Sequence, residues 1–146
     1  MKILLLNGPN LNLLGDRNPN QYGAVTLKEI EAQFIKKAKD LGVSEVSVFQ
    51  ANSEGDLVDF LQQNKADAIV INPGALTHYG YSLRDALEDF GKPVLEVHIS
   101  NIYSREDFRS KSVIAGIAKG QISGLGSFGY LTALEFIIKN HAKEEN

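Results

Sequence analysis

Residues 68–98 read AIVINPGALTHYGYSLRDALEDFGKPVLEVH. Two short apolar runs, 68–71 and 94–98, bracket a stretch of helical character. Asn72-Pro73-Gly74 punctuates the end of the first run. Ser82-Leu83-Arg84-Asp85 resembles a capping box that opens a helix, Gly91 stops it, and Pro93 leads into the second run. Strands this short and apolar, joined through a helix, are expected in a parallel sheet covered on both faces. The stretch therefore predicts one β-α-β unit.

The pattern repeats on either side. Residues 3–6 are apolar throughout and predict a buried first strand. The polar segment 8–25 follows; at about 18 residues it is long for a βα connection, and loops of that length are usually functional. Thr26-Leu27-Lys28-Glu29 is a capping box for a helix to about residue 41, with Gly42 as its stop. Residues 43–50 alternate and predict the second strand. Ser53 is placed to cap a helix through about residue 64, with Glu54 and Asp56 in its first turn. After the strand at 94–98, Ser104 is expected to cap a short helix through Arg109, and residues 119–123 form a weaker fifth strand. Residues 129–141 predict a closing helix with Leu131, Leu134, Ile137 and Ile138 at core spacing, and residues 143–146 a solvated tail. About five βα units without an internal repeat or linker predict one α/β domain over residues 1–146. The natural architecture is a flavodoxin-like three-layer sandwich with a five-stranded parallel sheet of order 2-1-3-4-5.

Composition narrows the function classes. A chain of 146 residues, 43% of them hydrophobic, should bury about two-thirds of its unfolded surface and needs no metal or disulfide staple. The absence of cysteine excludes disulfides, thiolate zinc sites, iron–sulfur clusters and a cysteine nucleophile. Fifteen lysines and arginines stand against 18 aspartates and glutamates, a net charge of −3, with no broad cationic footprint for nucleic acid or an anionic membrane. The apolar start Met1–Leu6 is ended by Asn7-Gly8-Pro9-Asn10, short of the roughly 7–15 apolar residues of a secretory segment or the roughly 20 of a membrane span. A soluble cytoplasmic protein is expected.

In open parallel sheets, ligands bind beyond the carboxyl ends of the strands. Three predicted strand ends carry chemistry: Asn7-Gly8-Pro9-Asn10, then Asn72 with His78 after it, then Glu96-Val97-His98. Glu96 and His98 are two apart on a strand and face the same side. A carboxylate that orients an imidazole makes a candidate general acid, although the same spacing suits a structural hydrogen bond. The long first loop carries Arg17 and Tyr22. Tyrosinate is a strong base that a desolvated guanidinium can stabilise, and a mobile loop can exclude water; the alternative is an aromatic ring clipped to its own loop. Arg105 and Arg109 either clamp an oxygen at the rim or line a solvated helix face. His78 also reads as a polar loop residue, and His141 as a surface one.

Two motifs mislead. Gly124-Leu125-Gly126-Ser127-Phe128-Gly129 matches the dinucleotide fingerprint, but only one helix follows it, so tight strand-to-helix packing is the better reading. Glu96, His98 and His78 lack any supporting metal-ligand motif, and no metal is expected. Neither a Walker A sequence nor a G-x-S-x-G elbow is present.

These residues resemble a known family. Asn7-Gly8-Pro9-Asn10-Leu11-Asn12-Leu13-Leu14-Gly15, Arg17, Pro19 and Tyr22-Gly23 are similar to the opening of type II 3-dehydroquinate dehydratases. The likeness continues through Asn52-Ser53-Glu54-Gly55, Ile71-Asn72-Pro73-Gly74-Ala75, Thr77-His78 and Leu83-Arg84-Asp85-Ala86. It runs on through Glu96-Val97-His98-Ile99-Ser100-Asn101, Arg105-Glu106-Asp107-Phe108-Arg109, Gly124-Leu125-Gly126 and Gly129-Tyr130.

The resemblance implies a flavodoxin-like fold, a dodecamer built of trimers, no cofactor, and dehydration of 3-dehydroquinate to 3-dehydroshikimate. That reaction serves aromatic biosynthesis, through the shikimate pathway, or quinate breakdown. It implies Tyr22 as the base beside the ketone, aided by Arg17, with Asn10 helping to hold a water that stabilises the enolate. His98, oriented by Glu96, would protonate the departing hydroxyl. The amides of Ile99 and Ser100 and the Ser100 hydroxyl would hold the substrate carboxylate. Asn72, His78 and Arg109 would bind ring hydroxyls, and Asp85 would reach a neighbouring subunit's site.

Asn18 stands where the family commonly has Glu, and Tyr79-Gly80-Tyr81-Ser82 replaces a Thr-Ser-aliphatic-Ala stretch. Two other classes compete. A flavin or nucleotide binder would need phosphate-cradling Ser, Thr or Gly after the first strand and an aromatic stack; Gly8-Pro9-Asn10-Leu11-Asn12 has no Ser or Thr, and the chain has no Trp. A non-catalytic receiver-like module would not need Arg17, Tyr22, Glu96 and His98 together.

Overall fold

The computed structural model describes residues 1–144. Its elements are β1 (Lys2–Asn7), α1 (Pro19–Tyr22), α2 (Leu27–Asp40), β2 (Glu45–Gln50), α3 (Glu54–Gln63), β3 (Ala68–Asn72), α4 (Tyr81–Phe90), β4 (Val94–His98), β5 (Gly120–Ser123) and α5 (Phe128–Glu144). The strands form one parallel sheet of order β2-β1-β3-β4-β5, the flavodoxin-like arrangement.

Side-chain alternation divides β1 between two cores. Ile3 and Leu5 face Phe34 of α2 and Leu134 of α5, whereas Leu4 and Leu6 face Leu57 of α3 and Leu83 of α4. All four β1 residues are fully buried, so the uniformly apolar run is that of a strand covered on both faces. The Thr26 capping box is present: its hydroxyl accepts from Glu29 N, and Glu29 returns a bond to the Thr26 amide. Such a cap contributes about 1 kcal/mol. Burying Phe34 contributes about 2–3 kcal/mol, so packing rather than capping holds α2 in place.

Several sequence expectations change. Segment 8–25 is not a plain loop: it contains a 3₁₀ turn, Leu11–Leu13, and the one-turn α1, and Leu11 and Leu14 are buried in the core. Ser82 does not cap α4, which begins at Tyr81 with Gly80 before it. Glu54, from α3, supplies the cap instead, its Oε2 accepting from Leu83 N at 3.1 Å. A Cβ on Gly80 would lie 2.7 Å from the Leu76 carbonyl oxygen and 3.0 Å from Glu54 Oε2, so only glycine admits that contact.

Ser104 also caps nothing ahead of it. Asn101 accepts from Tyr103 N at 3.1 Å and starts the turn Ile102–Ser104, and a separate turn, Asp107–Ser110, carries Arg109. The second strand begins at Glu45 because Val43 N bonds back to Ala38 O at 2.9 Å, closing α2. On α5 the buried stripe is Tyr130, Ala133, Leu134 and Ile137. Leu131 is half-buried, one helical position off the stripe. Lys143 and Glu144 continue that helix; the tail expected at residues 145 and 146 lies outside the described residues.

Candidate active site

A cavity of about 130 Å³ opens beyond the carboxyl ends of β1, β3 and β4. Asn10, Arg17, Tyr22, Asn72, His78, His98, Ile99, Ser100 and Arg109 all line it. Glu96 lies behind His98. Asp85 does not line the cavity; it is exposed on α4 and bonded to Arg84 at 3.1 Å. A second cavity, about 150 Å³, opens at the amino ends of the strands over Ala68, Pro93, Leu95, Phe136 and Ile137. Asp67, Lys92, Lys119, Asn140 and His141 also line it, but it shares no residue with the first cavity, which alone of the two holds the strand-end residues Asn72 and His98.

Tyr22 sits on α1, which Asn18 caps by accepting from Asn20 N at 3.1 Å. Two guanidiniums donate to its hydroxyl oxygen: Arg17 Nη2 at 3.2 Å and Arg105 Nη1 at 2.9 Å. The Arg17 guanidinium also lies over the ring, 4.1 Å from its centroid. Two cations on one phenol oxygen stabilise negative charge there, in a partly buried setting where screening is weak. Sequence reading favours a solvated helix face for both Arg105 and Arg109, and the family resemblance gives a role only to Arg109. It is Arg105 that reaches Tyr22, and it also donates to Ser100 Oγ at 3.2 Å. An arginine immediately after the Ile102–Ser104 turn is the available signal, but its direction depends on that turn.

At the end of β4, His98 Nε2–H donates to Glu96 Oε1 at 3.1 Å, and both residues are buried. That leaves Nδ1 as the ring nitrogen not engaged within the described residues. Glu96 is fully enclosed and fully bonded. Its Oε1 also accepts from the Thr77 hydroxyl and from Ser112 Oγ at 2.7 Å, and its Oε2 from Gln121 Nε2 at 2.7 Å. Gln121 is held in turn by the Tyr103 hydroxyl. Burial alone would push the Glu96 carboxyl up, but the bond and charge of His98, with Thr77 and Ser112, outweigh it and hold the group below the usual carboxylate range. Ser112 and Gln121 were missed by sequence reading: each is a polar residue in an unremarkable context that only the fold carries to Glu96.

The sign of that shift gives a test. A carboxyl depressed in the folded state adds stability that is present above the unfolded value, about pH 4.3, and is lost as pH falls through the folded one. The urea midpoint of the wild type is therefore expected to fall more steeply below about pH 4 than that of Glu96→Gln. Parallel acid limbs would contradict an ionised, depressed Glu96.

The remaining groups are set by local structure. Asn10 takes a left-handed backbone, φ 68°, the one such non-glycine among the described residues, and its N–H donates to Asn52 Oδ1 at 3.0 Å. A residue held in that region commonly marks a functional site. His78 Nδ1 is bonded to the Lys111 carbonyl at 2.8 Å, and Phe108 packs edge-on against the ring. The Arg109 guanidinium lies over Phe108 and bonds Glu106 at 2.9 Å. Among the described residues no group of three His, Asp or Glu side chains gathers to hold a metal ion, and no helix is long and apolar enough to cross a membrane.

Known proteins are similar to this chain in sequence and in fold. The family model for class II dehydroquinases matches residues 1–138. A 3-dehydroquinate dehydratase of Dictyoglomus turgidum is 60% identical over 139 residues, covering 94% of this chain and 95% of that protein. One from Pelotomaculum thermopropionicum is 59% identical over 136 residues, covering 92% and 94%. The crystal structure of a type II dehydroquinase from Propionibacterium acnes superposes with a TM-score of 0.89 at 42% identity, covering 94% of this chain and 96% of that one. Its counterpart from Butyrivibrio crossotus gives 0.90 at 44%, covering 94% and 97%. On the sequence match over nearly its whole length and on the fold, the chain belongs to the class II dehydroquinase family.

Proposed function

We propose that the chain dehydrates 3-dehydroquinate to 3-dehydroshikimate, as a hydro-lyase of the shikimate pathway or of quinate catabolism. The observation that carries the reading is the pairing, in one cavity, of a phenol oxygen under two guanidiniums with an imidazole backed by a buried carboxylate. The Tyr22 oxygen takes the proton beside the substrate ketone, and the electron pair moves onto the ketone oxygen as an enolate. A water held with the help of Asn10 stabilises that oxygen. The enolate then collapses, the carbon–oxygen bond to the leaving hydroxyl breaks, and His98 delivers a proton so that water departs. Positioning by Asn72, His78 and Arg109 at the ring hydroxyls, and by Ile99 and Ser100 at the carboxylate, aligns the two transfers.

Among the described residues no lysine lines the cavity. Borohydride added with substrate is therefore expected to form no covalent adduct, by mass spectrometry, and to leave activity intact. A trapped substrate–lysine adduct would assign an imine mechanism in place of the enolate one.

The chain works as a single catalytic domain in the cytoplasm and assembles as a dodecamer of trimers, with Asp85 completing a neighbour's site. The support is Asp85's position, outside its own chain's cavity and exposed. Tyr22→Phe and Asp85→Ala chains, each impaired alone, are expected to regain activity when dissociated together and reassembled. A mixture no more active than its components would place Asp85 outside catalysis.

A further inference from the structure

The Gly-rich run before α5 has a second consequence besides close packing. A Cβ on Gly129 would sit 3.3 Å from both Ile122 Cγ2 and Val97 Cγ1, so α5 lies tight against β4 and β5. That approach carries the next side chain, Tyr130, to the carboxyl ends of β1 and β3. Tyr130 is fully buried, and its hydroxyl donates to Asn7 Oδ1 at 2.6 Å and accepts from Asn72 Nδ2 at 2.9 Å. Asn7 and Asn72 are adjacent partners across β1 and β3, but only Asn72 lines the catalytic cavity. Burial pushes the Tyr130 phenol well above its ordinary range, so it carries its proton throughout the working pH.

A neutral hydroxyl has one proton to give. Here it goes to Asn7, and the bond from Asn72 must be accepted. That fixes the Asn72 amide with its nitrogen toward Tyr130, while its oxygen accepts from Gly74 N at 3.1 Å. One N–H and one lone pair of Asn72 remain for a ligand. Asn7 Nδ2 is buried with no partner among the described residues, a cost that an apolar side chain at the same place would not carry. Two buried amides kept at that cost, one of them at the cavity wall, suit orientation better than stability.

We propose that Tyr130 is a positioning residue that sets which edge of the Asn72 amide meets the ring hydroxyls of the substrate. The inference rests on the assignment of Asn72 to substrate binding made above. The test is a double-mutant cycle in steady-state kinetics. Tyr130→Phe keeps the ring and removes the hydroxyl; it is expected to lower kcat/KM roughly tenfold, mainly through KM. In an Asn72→Ala background the same change is expected to cost less than about twofold. Asn7→Leu, which removes the acceptor that directs the hydroxyl, is expected to act in the same sense and to lose its effect in the same background; it carries the test if Tyr130→Phe fails to fold. Equal losses in both backgrounds would make Tyr130 a packing residue only, and wild-type kinetics in folded Tyr130→Phe would overturn the proposal outright. Wild-type kinetics in Asn72→Ala alone would remove the Asn72 assignment itself, a result read from a variant in which Tyr130 is intact.

Discussion

Tyr22→Phe is expected to lower kcat by about 10³ or more while KM changes by no more than about threefold. The substitution keeps the ring over which the Arg17 guanidinium lies and removes only the oxygen that Arg17 and Arg105 hold. Binding groups at the strand ends are untouched. A proton beside a ketone is weakly acidic, so both base strength and stabilisation of the enolate bear on the barrier, and a missing base is felt in kcat. Steady-state kinetics with circular dichroism as a folding control checks this. A large rise in KM with kcat retained would mean that Tyr22 binds substrate rather than reacting with it.

His98→Ala is expected to lower kcat and kcat/KM together by about 10²–10⁴. Hydroxide is a poor leaving group and must be protonated as it departs. The loss is separable from that of Tyr22 by isotope exchange. With Tyr22 in place, the enolate still forms, so the proton beside the ketone should exchange with solvent deuterium in His98→Ala faster than product appears. Tyr22→Phe should show neither exchange nor product. Exchange blocked in His98→Ala and retained in Tyr22→Phe would reverse the two roles. The variant also leaves Glu96 buried with three of its hydrogen-bond donors, Thr77, Ser112 and Gln121, and is expected to stay folded.

What the sequence could say depended on how local each feature is. The strands, the Thr26 cap and the glycine stops of α2 and α4 rest on neighbouring residues, and they were legible. So was the rim, because Asn72, Glu96 and His98 sit at strand ends that the apolar runs define. The division of β1 into two faces was not, since a run apolar throughout has no visible period. The start of α4 was misread because its cap is Glu54, from another helix, and no local pattern reports a tertiary contact. Arg105 was underrated for a similar reason: its reach to Tyr22 spans 83 positions in the chain. Tyr130 enters the sequence reading only within the family resemblance, beside Gly129, because its bonds to Asn7 and Asn72 join residues 123 and 58 positions away. The Asn18 departure is accommodated locally, as the cap of α1. Tyr79 and Tyr81 project their rings to solvent from this chain.

Dehydration in the cavity that Tyr22 and His98 share is expected to proceed without a metal ion. Purified protein mixed with 3-dehydroquinate in chelator-treated buffer, followed by ultraviolet absorbance of the conjugated enone, tests it most directly. Rapid growth of the enone band in the wild type, absent in Tyr22→Phe, is the predicted result. No growth from folded, assembled wild-type protein, or equal growth in the variant, would contradict it.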